Sequence, residues 1–165
     1  MKELPDWLPA LMEFGDFGGD WTRYVNEVFA IFHRDFIQTQ PVIAGRRVMI
    51  RRDPMCEGKE WGFWHCVSEG REEEERTPDL RRCERIGWIR AVIEHCDSPE
   101  IDRWVARKNG DDRLHLWFKE EYLVVLGVRK GYYQLITAYL TDWKHTIRKK
   151  RAERDMAQKS WHRPT

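Results

Sequence analysis

No apolar run in this chain approaches the length of a bilayer span, and its opening, MKELPDWLPALMEF, has neither a basic start leading into an apolar stretch nor a small-residue cleavage site. Membrane insertion and secretion are set aside, and the expected location is the cytoplasm. Cysteine is sparse and scattered. Cys56, Cys66, Cys83 and Cys96 lie far apart, which suits reduced thiols better than a disulfide frame in a chain without a secretory leader. A zinc site built from them with His65 and His95 would lack the close ligand spacing such sites use, so neither a metal nor any other cofactor is expected. No stretch of the 165 residues reads as a linker between two cores, and a single domain follows.

The net charge of +1 conceals a local imbalance. Acids crowd the stretch SEGREEEER, whereas Lys144 to Arg154 reads KHTIRKKRAER. The acidic run reads as a solvated loop, able also to compete with an anionic ligand for a basic groove. Nine tryptophans are a large excess for this length, and such rings serve either as core filler or as platforms for bases, sugars or peptide.

The stretch LHLWFKEEYLVVLGVRKGYYQLITAYLT, residues 114–141, reads as three antiparallel strands. Tyr122 to Val128 is nearly continuous Tyr, Leu and Val, as in a central strand covered on both faces, with Leu114 to Lys119 and Tyr132 to Leu140 beside it. Lys130-Gly131 and Glu120-Glu121 are the candidate two-residue turns. That register puts Leu114, Leu116, Phe118, Leu123, Val125, Gly127, Ile136 and Ala138 on a face that needs a helix. The other face carries His115, Trp117, Lys119, Tyr122, Val124, Leu126, Val128, Tyr133, Leu135, Thr137 and Tyr139. It is the candidate functional face, the plainer alternative being the half-exposed side of an ordinary sheet.

Asp20 predicts the N-cap of a helix whose stripe is Trp21, Tyr24, Val25, Val28, Phe32 and Phe36. Before it, residues 1–19 form an extension with a short helical turn ahead of Phe14. Arg46 to Arg52 and Trp61 to Val67 read as an antiparallel strand pair, with His65 projecting beside Trp61, Phe63 and Val67. Thr77-Pro78-Asp79 predicts a helix start, with Thr77 as cap and the helix running to about His95. Arg81, Arg85 and Trp88 share one stripe of it, as surface arginines paired with acids or as a row facing phosphate. Ile101 to Arg107 reads as a short helical segment, and Trp143 to about Lys159 as a basic helix. The expectation is a single α+β domain with a mostly antiparallel sheet of about five strands and helices packed on one face, its core spanning 20–142 and a basic helix and tail spanning 143–165.

This element order, closing on Thr137-Ala138-Tyr139 in the last strand, resembles the small nucleases of the barnase, EndoU, colicin and RelE-like fold. The resemblance implies a toxin-type endoribonuclease that acts on RNA without metal, the 2′-hydroxyl attacking the adjacent phosphate, and an antitoxin as a possible protein partner. On that reading Thr137 and Tyr139 position the phosphate, His65 or His115 acts as base or acid, and Lys119 or Arg81 stabilises the developing charge. Arg85, Trp117 and Tyr133 would line the RNA path. The register independently brings His115 and Lys119 to the same face. The alternative is a non-catalytic module that holds single-stranded nucleic acid or a protein segment in the same aromatic, basic groove.

Overall fold

Helix α1, Trp21–His33, begins where Asp20 accepts a hydrogen bond from the Arg23 amide at 3.0 Å, and it buries Tyr24, Val25, Val28 and Phe32. The chain continues in a π-helical turn over Arg34–Gln38 that buries Phe36, also expected on the stripe, whereas Trp21 at its start is exposed. The structure is a computed structural model that describes residues 3–70 and 76–160, so most of the acidic run lies outside the described residues. The N-terminal extension is tied to α1 by the Tyr24 hydroxyl, which donates to the Met12 carbonyl at 2.7 Å.

Strands β1 (Val42–Ile43), β2 (Arg46–Met49), β5 (Ile101–Lys108), β6 (Asp111–Phe118), β7 (Tyr122–Val128) and β8 (Tyr133–Leu140) form one sheet, ordered β1-β2-β8-β7-β6-β5. Only the β2–β8 contact is parallel. The domain is α+β as expected, with six strands in place of about five. β3 (Ser68–Glu69) and β4 (Thr77–Pro78) make a separate two-stranded ribbon.

The register differs from expectation in two places. Phe118 pairs with Tyr122, so the β6–β7 turn is Lys119-Glu120-Glu121, with Lys119 and Glu120 both at positive φ, rather than two residues. That one-residue change reverses the faces of β7. Tyr122, Val124 and Leu126 therefore join Leu114, Leu116 and Phe118 in the main core, and Leu123 and Val125 join Trp117 on the opposite face. The second difference is a bulge: Leu126 pairs with Leu135 but Val125 pairs with Thr137, leaving Ile136 as the extra residue. Leu135 and Ala138 consequently face the helices, while Ile136 and Tyr139 pack on the other side. A Cβ at Gly127 would lie 2.6 Å from the Arg129 guanidinium, so a larger residue here would displace that flexible side chain.

Trp61–Val67 is helix α2, not a strand. Its alternating Trp61, Phe63, His65 and Val67 mimic a strand, but the buried set is Gly62, Phe63, Cys66 and Val67, which is helical spacing. Gly62 lets the helix approach β2's extension, since its amide donates to the Arg51 carbonyl at 2.8 Å and a Cβ would sit 2.9 Å from that oxygen. The predicted helix after Thr77 starts later. Thr77–Pro78 pairs as β4, and Asp79 caps α3 (Leu80–Glu84) by accepting from the amides of Arg81 and Arg82. Arg85, at φ −103 and ψ 21, separates α3 from α4 (Ile86–Glu94). Ile101–Lys108 is an edge strand rather than a helix. Ile101 and Trp104 are buried three residues apart because they enter different cores on opposite faces, which imitates a helical stripe.

α1 to α4 cover the main-core face. α5, Lys144–Ser160, lies instead against the second face, where Ile147 and Ala157 pack on the cluster of Trp104, Trp117, Leu123 and Val125. Its ion pairs to the sheet include Arg151 with Glu120 at 2.5 Å and Arg154 with Asp102 at 2.8 Å. No described helix is long and apolar enough to cross a membrane.

Candidate active site

Beside α5 the second face opens into a cleft of about 500 Å³. The sheet contributes Arg113, His115, Ile136, Thr137 and Tyr139, the end of α2 contributes His65, α3 contributes Arg82, and α5 contributes Lys149, Lys150 and Glu153. Arg76, Arg107 and Lys108 complete the basic lining, so among the described residues seven Lys and Arg side chains line the cleft beside two acids, Glu69 and Glu153. A concave wall of one charge concentrates field and favours an anion.

Arg82 is held on several sides. Its guanidinium donates to the Ser68 carbonyl at 2.8 Å, reaches the Thr137 hydroxyl at 3.5 Å, lies 5.4 Å over the Tyr139 ring and has the Asp79 carboxylate at 3.8 Å. A planar fork held in this way loses little freedom on meeting a phosphate. Arg76 binds the carbonyls of His65, Ser68 and Gly70 together with the Ser68 hydroxyl, which fastens the end of α2 to the β3–β4 ribbon. The two arginines thus position His65 and flank it with positive charge.

His65 stacks on Trp61 with ring centres 4.6 Å apart and planes 14° from parallel. Its Nδ1 is buried without a hydrogen-bond partner among the described residues. Burial first, and then Arg76, Arg82, Arg113 and Arg51, pull its pKa down to about 4, so the imidazole is neutral near pH 7 and able to accept a proton. An arriving phosphate would oppose the arginines and raise that pKa.

His115 is placed differently. It is almost fully buried and stacks on Trp104 at 5.0 Å, with Nδ1 3.1 Å from the Arg113 carbonyl and Nε2 3.3 Å from Glu153 Oε1. Both ring nitrogens face acceptors of the protein, and since burial holds its pKa down at about 4 the neutral ring donates to one of them. Burial alone would raise the pKa of Glu153, but the Trp104 indole donor at 2.9 Å and the Lys150 ammonium keep it below the usual carboxylate range. Burial raises the pKa of Tyr139, which remains a phenol and a potential proton donor.

Of the candidates drawn from the sequence, His65, His115, Thr137 and Tyr139 meet in this cleft. The other five lie outside its lining. Arg81 pairs with Asp142 at 2.6 Å, Arg85 lies over Trp88 and donates to the Arg81 carbonyl, and Lys119 donates to the Glu3 carbonyl and pairs with Glu100. Trp117 is fully buried with its indole N–H on the Thr141 hydroxyl, and Tyr133 lines a separate cavity with Ile43 and Leu114. Arg82 lies off the stripe of Arg81, Arg85 and Trp88, yet it is Arg82 whose guanidinium meets Ser68 and Thr137 at the cleft. Glu153 sits in the basic stretch already marked, but nothing in its spacing points to His115.

Among the described residues, no three His, Cys, Asp or Glu side chains gather as metal ligands. No family model, curated protein or solved structure matches the chain.

Proposed function

We propose that this protein binds RNA in the basic cleft and cleaves it without metal, a 2′-hydroxyl attacking the neighbouring phosphate. The observation that carries the reading is the convergence of His65, Arg82, Thr137 and Tyr139 on one cationic cleft from α2, α3 and β8. His65, neutral near pH 7, takes the proton of the 2′-hydroxyl as the O2′–P bond forms. Arg82 meets the charge growing on the non-bridging oxygens, and the Thr137 hydroxyl orients them. The P–O5′ bond breaks as the leaving oxygen takes a proton from the Tyr139 phenol, and His65 returns its proton through solvent. His115, with both nitrogens facing acceptors of the protein, supports the cleft floor together with Glu153.

One observation favours the rival reading of a non-catalytic module for single-stranded nucleic acid: with His115 engaged internally, a single histidine is left for proton transfer. Purified protein incubated with end-labelled RNA in excess EDTA separates the two. Cleavage to 2′,3′-cyclic phosphate ends, abolished when the sugar at the cut position is 2′-deoxy, is the expected result. RNA that is bound but left intact supports the rival. A nuclease of this kind inside a cell calls for restraint by a protein partner, and an acidic segment entering the same cleft would supply it.

A further inference from the structure

A second cavity, of about 440 Å³, adjoins the cleft and shares His65 and Arg76 with it. Its chemistry is different. Trp21 from α1 and Trp61 and Trp64 from α2 line it together with Pro54 and Pro78. We propose that this slot receives one unpaired nucleobase of the RNA whose phosphate lies in the cleft, so that the substrate is single-stranded; the proposal rests on the RNA reading above.

Three features carry it. First, the two cavities share His65 and Arg76 in their linings, so a sugar-phosphate chain in the basic cleft has an aromatic slot within one side chain of its path. Second, two of the three indoles have no ring stacked on them. Trp61 is already stacked by His65 and has the Arg51 guanidinium 4.4 Å from its ring centre. Trp64 meets Phe63 edge-on, and Trp21 meets Phe14 edge-on and Tyr24 at a tilt. Third, the walls are fixed in advance: the Trp64 indole N–H donates to the Cys56 carbonyl at 2.9 Å, and Trp21 opens the helix capped by Asp20, with 39% of its surface exposed. Rigid, unstacked indoles next to a cationic groove are what a single-stranded base recognises, whereas a base held in a duplex cannot leave its stack without added cost.

The test uses the full chain and a 2′-O-methyl RNA hexamer, which lacks the nucleophile, so that binding is read apart from cleavage. Fluorescence anisotropy gives the affinity of this hexamer and of six versions, each abasic at one position. One abasic position is expected to weaken binding about tenfold, as for loss of one stacked base, while the others change it little. Trp21→Ala should erase that difference and Trp21→Phe should preserve it; Trp64→Ala, checked by circular dichroism for folding, should behave like Trp21→Ala. Equal affinity at all six positions, or an abasic effect unchanged in Trp21→Ala, overturns the slot and leaves the cavity to a partner of other chemistry. Equal affinity for a blunt 2′-O-methyl duplex overturns it too. The RNA reading fails separately: unmodified RNA that is bound in a base-dependent way but never cut removes the nuclease and keeps the slot.

Discussion

Replacing His65 with alanine isolates proton transfer from binding. The imidazole is neutral near pH 7, because burial and the surrounding arginines hold its pKa at about 4, so nearly all of it is available as base. Losing a general base lowers kcat by about a hundredfold to ten-thousandfold, which is ~3–5 kcal/mol of transition-state stabilisation. The folded state should lose much less. Alanine removes the stacking on Trp61, worth about 1 kcal/mol, but it also removes a buried Nδ1 that has no partner, and the two effects oppose one another. The expected signature is therefore a collapse of kcat on labelled RNA, an unchanged Kd for the 2′-O-methyl hexamer, and a melting temperature within a few degrees of the parent. In the parent, kcat/KM should rise with pH through about 4 and then level off toward neutrality, since the base must be unprotonated. A kcat within threefold of the parent would refute the role of His65, and an equal loss of kcat and of folded protein would show that the residue acts through the structure alone.

The sheet register is tested by size: Leu126→Ala, in the fully buried core, should cost about 3 kcal/mol, whereas Ile136→Ala, at the half-buried bulge, should cost about 1, and denaturant midpoints that reverse this order would invert the assigned faces. Acid should destabilise the protein between pH 6.5 and 4. His65 and His115 both have folded pKa values of about 4, below the unfolded value, so the unfolded chain takes up protons first and stability is lost as pH falls through this window. A melting temperature constant across it would contradict the depressed values. Lys149→Ala and Lys150→Ala should each weaken RNA binding and lower the salt-dependence slope by about 1, as read from Kd at a series of salt concentrations, and an unchanged slope would remove α5 from the RNA path. Deleting α5 is a poorer test, because it uncovers Trp104 and Trp117.

Where capping and periodicity coincide, the sequence was readable: the Asp20 cap and the α1 stripe, β7 as the central strand and the basic helix α5 are all present as expected. The segments that depart from expectation carry patterns of the wrong period, each for its own reason. Ile101 and Trp104 enter opposite faces from one strand, and α2 presents alternating aromatics although its buried residues follow helical spacing. Local pattern records which residues are apolar, not which core receives them.

The sheet shows how the cleft residues could be read correctly from an incorrect register. Two-residue turns would pair Lys119 with Tyr122 and Arg129 with Tyr132. The first turn has three residues, because Lys119 and Glu120 adopt positive φ without glycine, and this inverts β7 relative to β6. The second alignment starts as expected, with Val128 opposite Tyr133, until the bulge at Ile136 shifts β8 by one residue. Beyond the bulge the two single-residue shifts cancel, so Thr137 and Tyr139 return to the face of His115. Before the bulge only the first shift operates, so Tyr133 and Leu135, expected on the same face, pack against the main core instead. The bulge therefore sets which residues of β8 enter the cleft. Deleting Ile136 would remove only the extra residue: Leu135 stays opposite Leu126 and Thr137 opposite Val125, so Thr137 and Tyr139 keep the cleft face, and the expected result is a foldable protein that retains RNA cleavage. Loss of cleavage in a folded deletion variant would mean that the local shape of the bulge, and not the face alone, positions Thr137 and Tyr139.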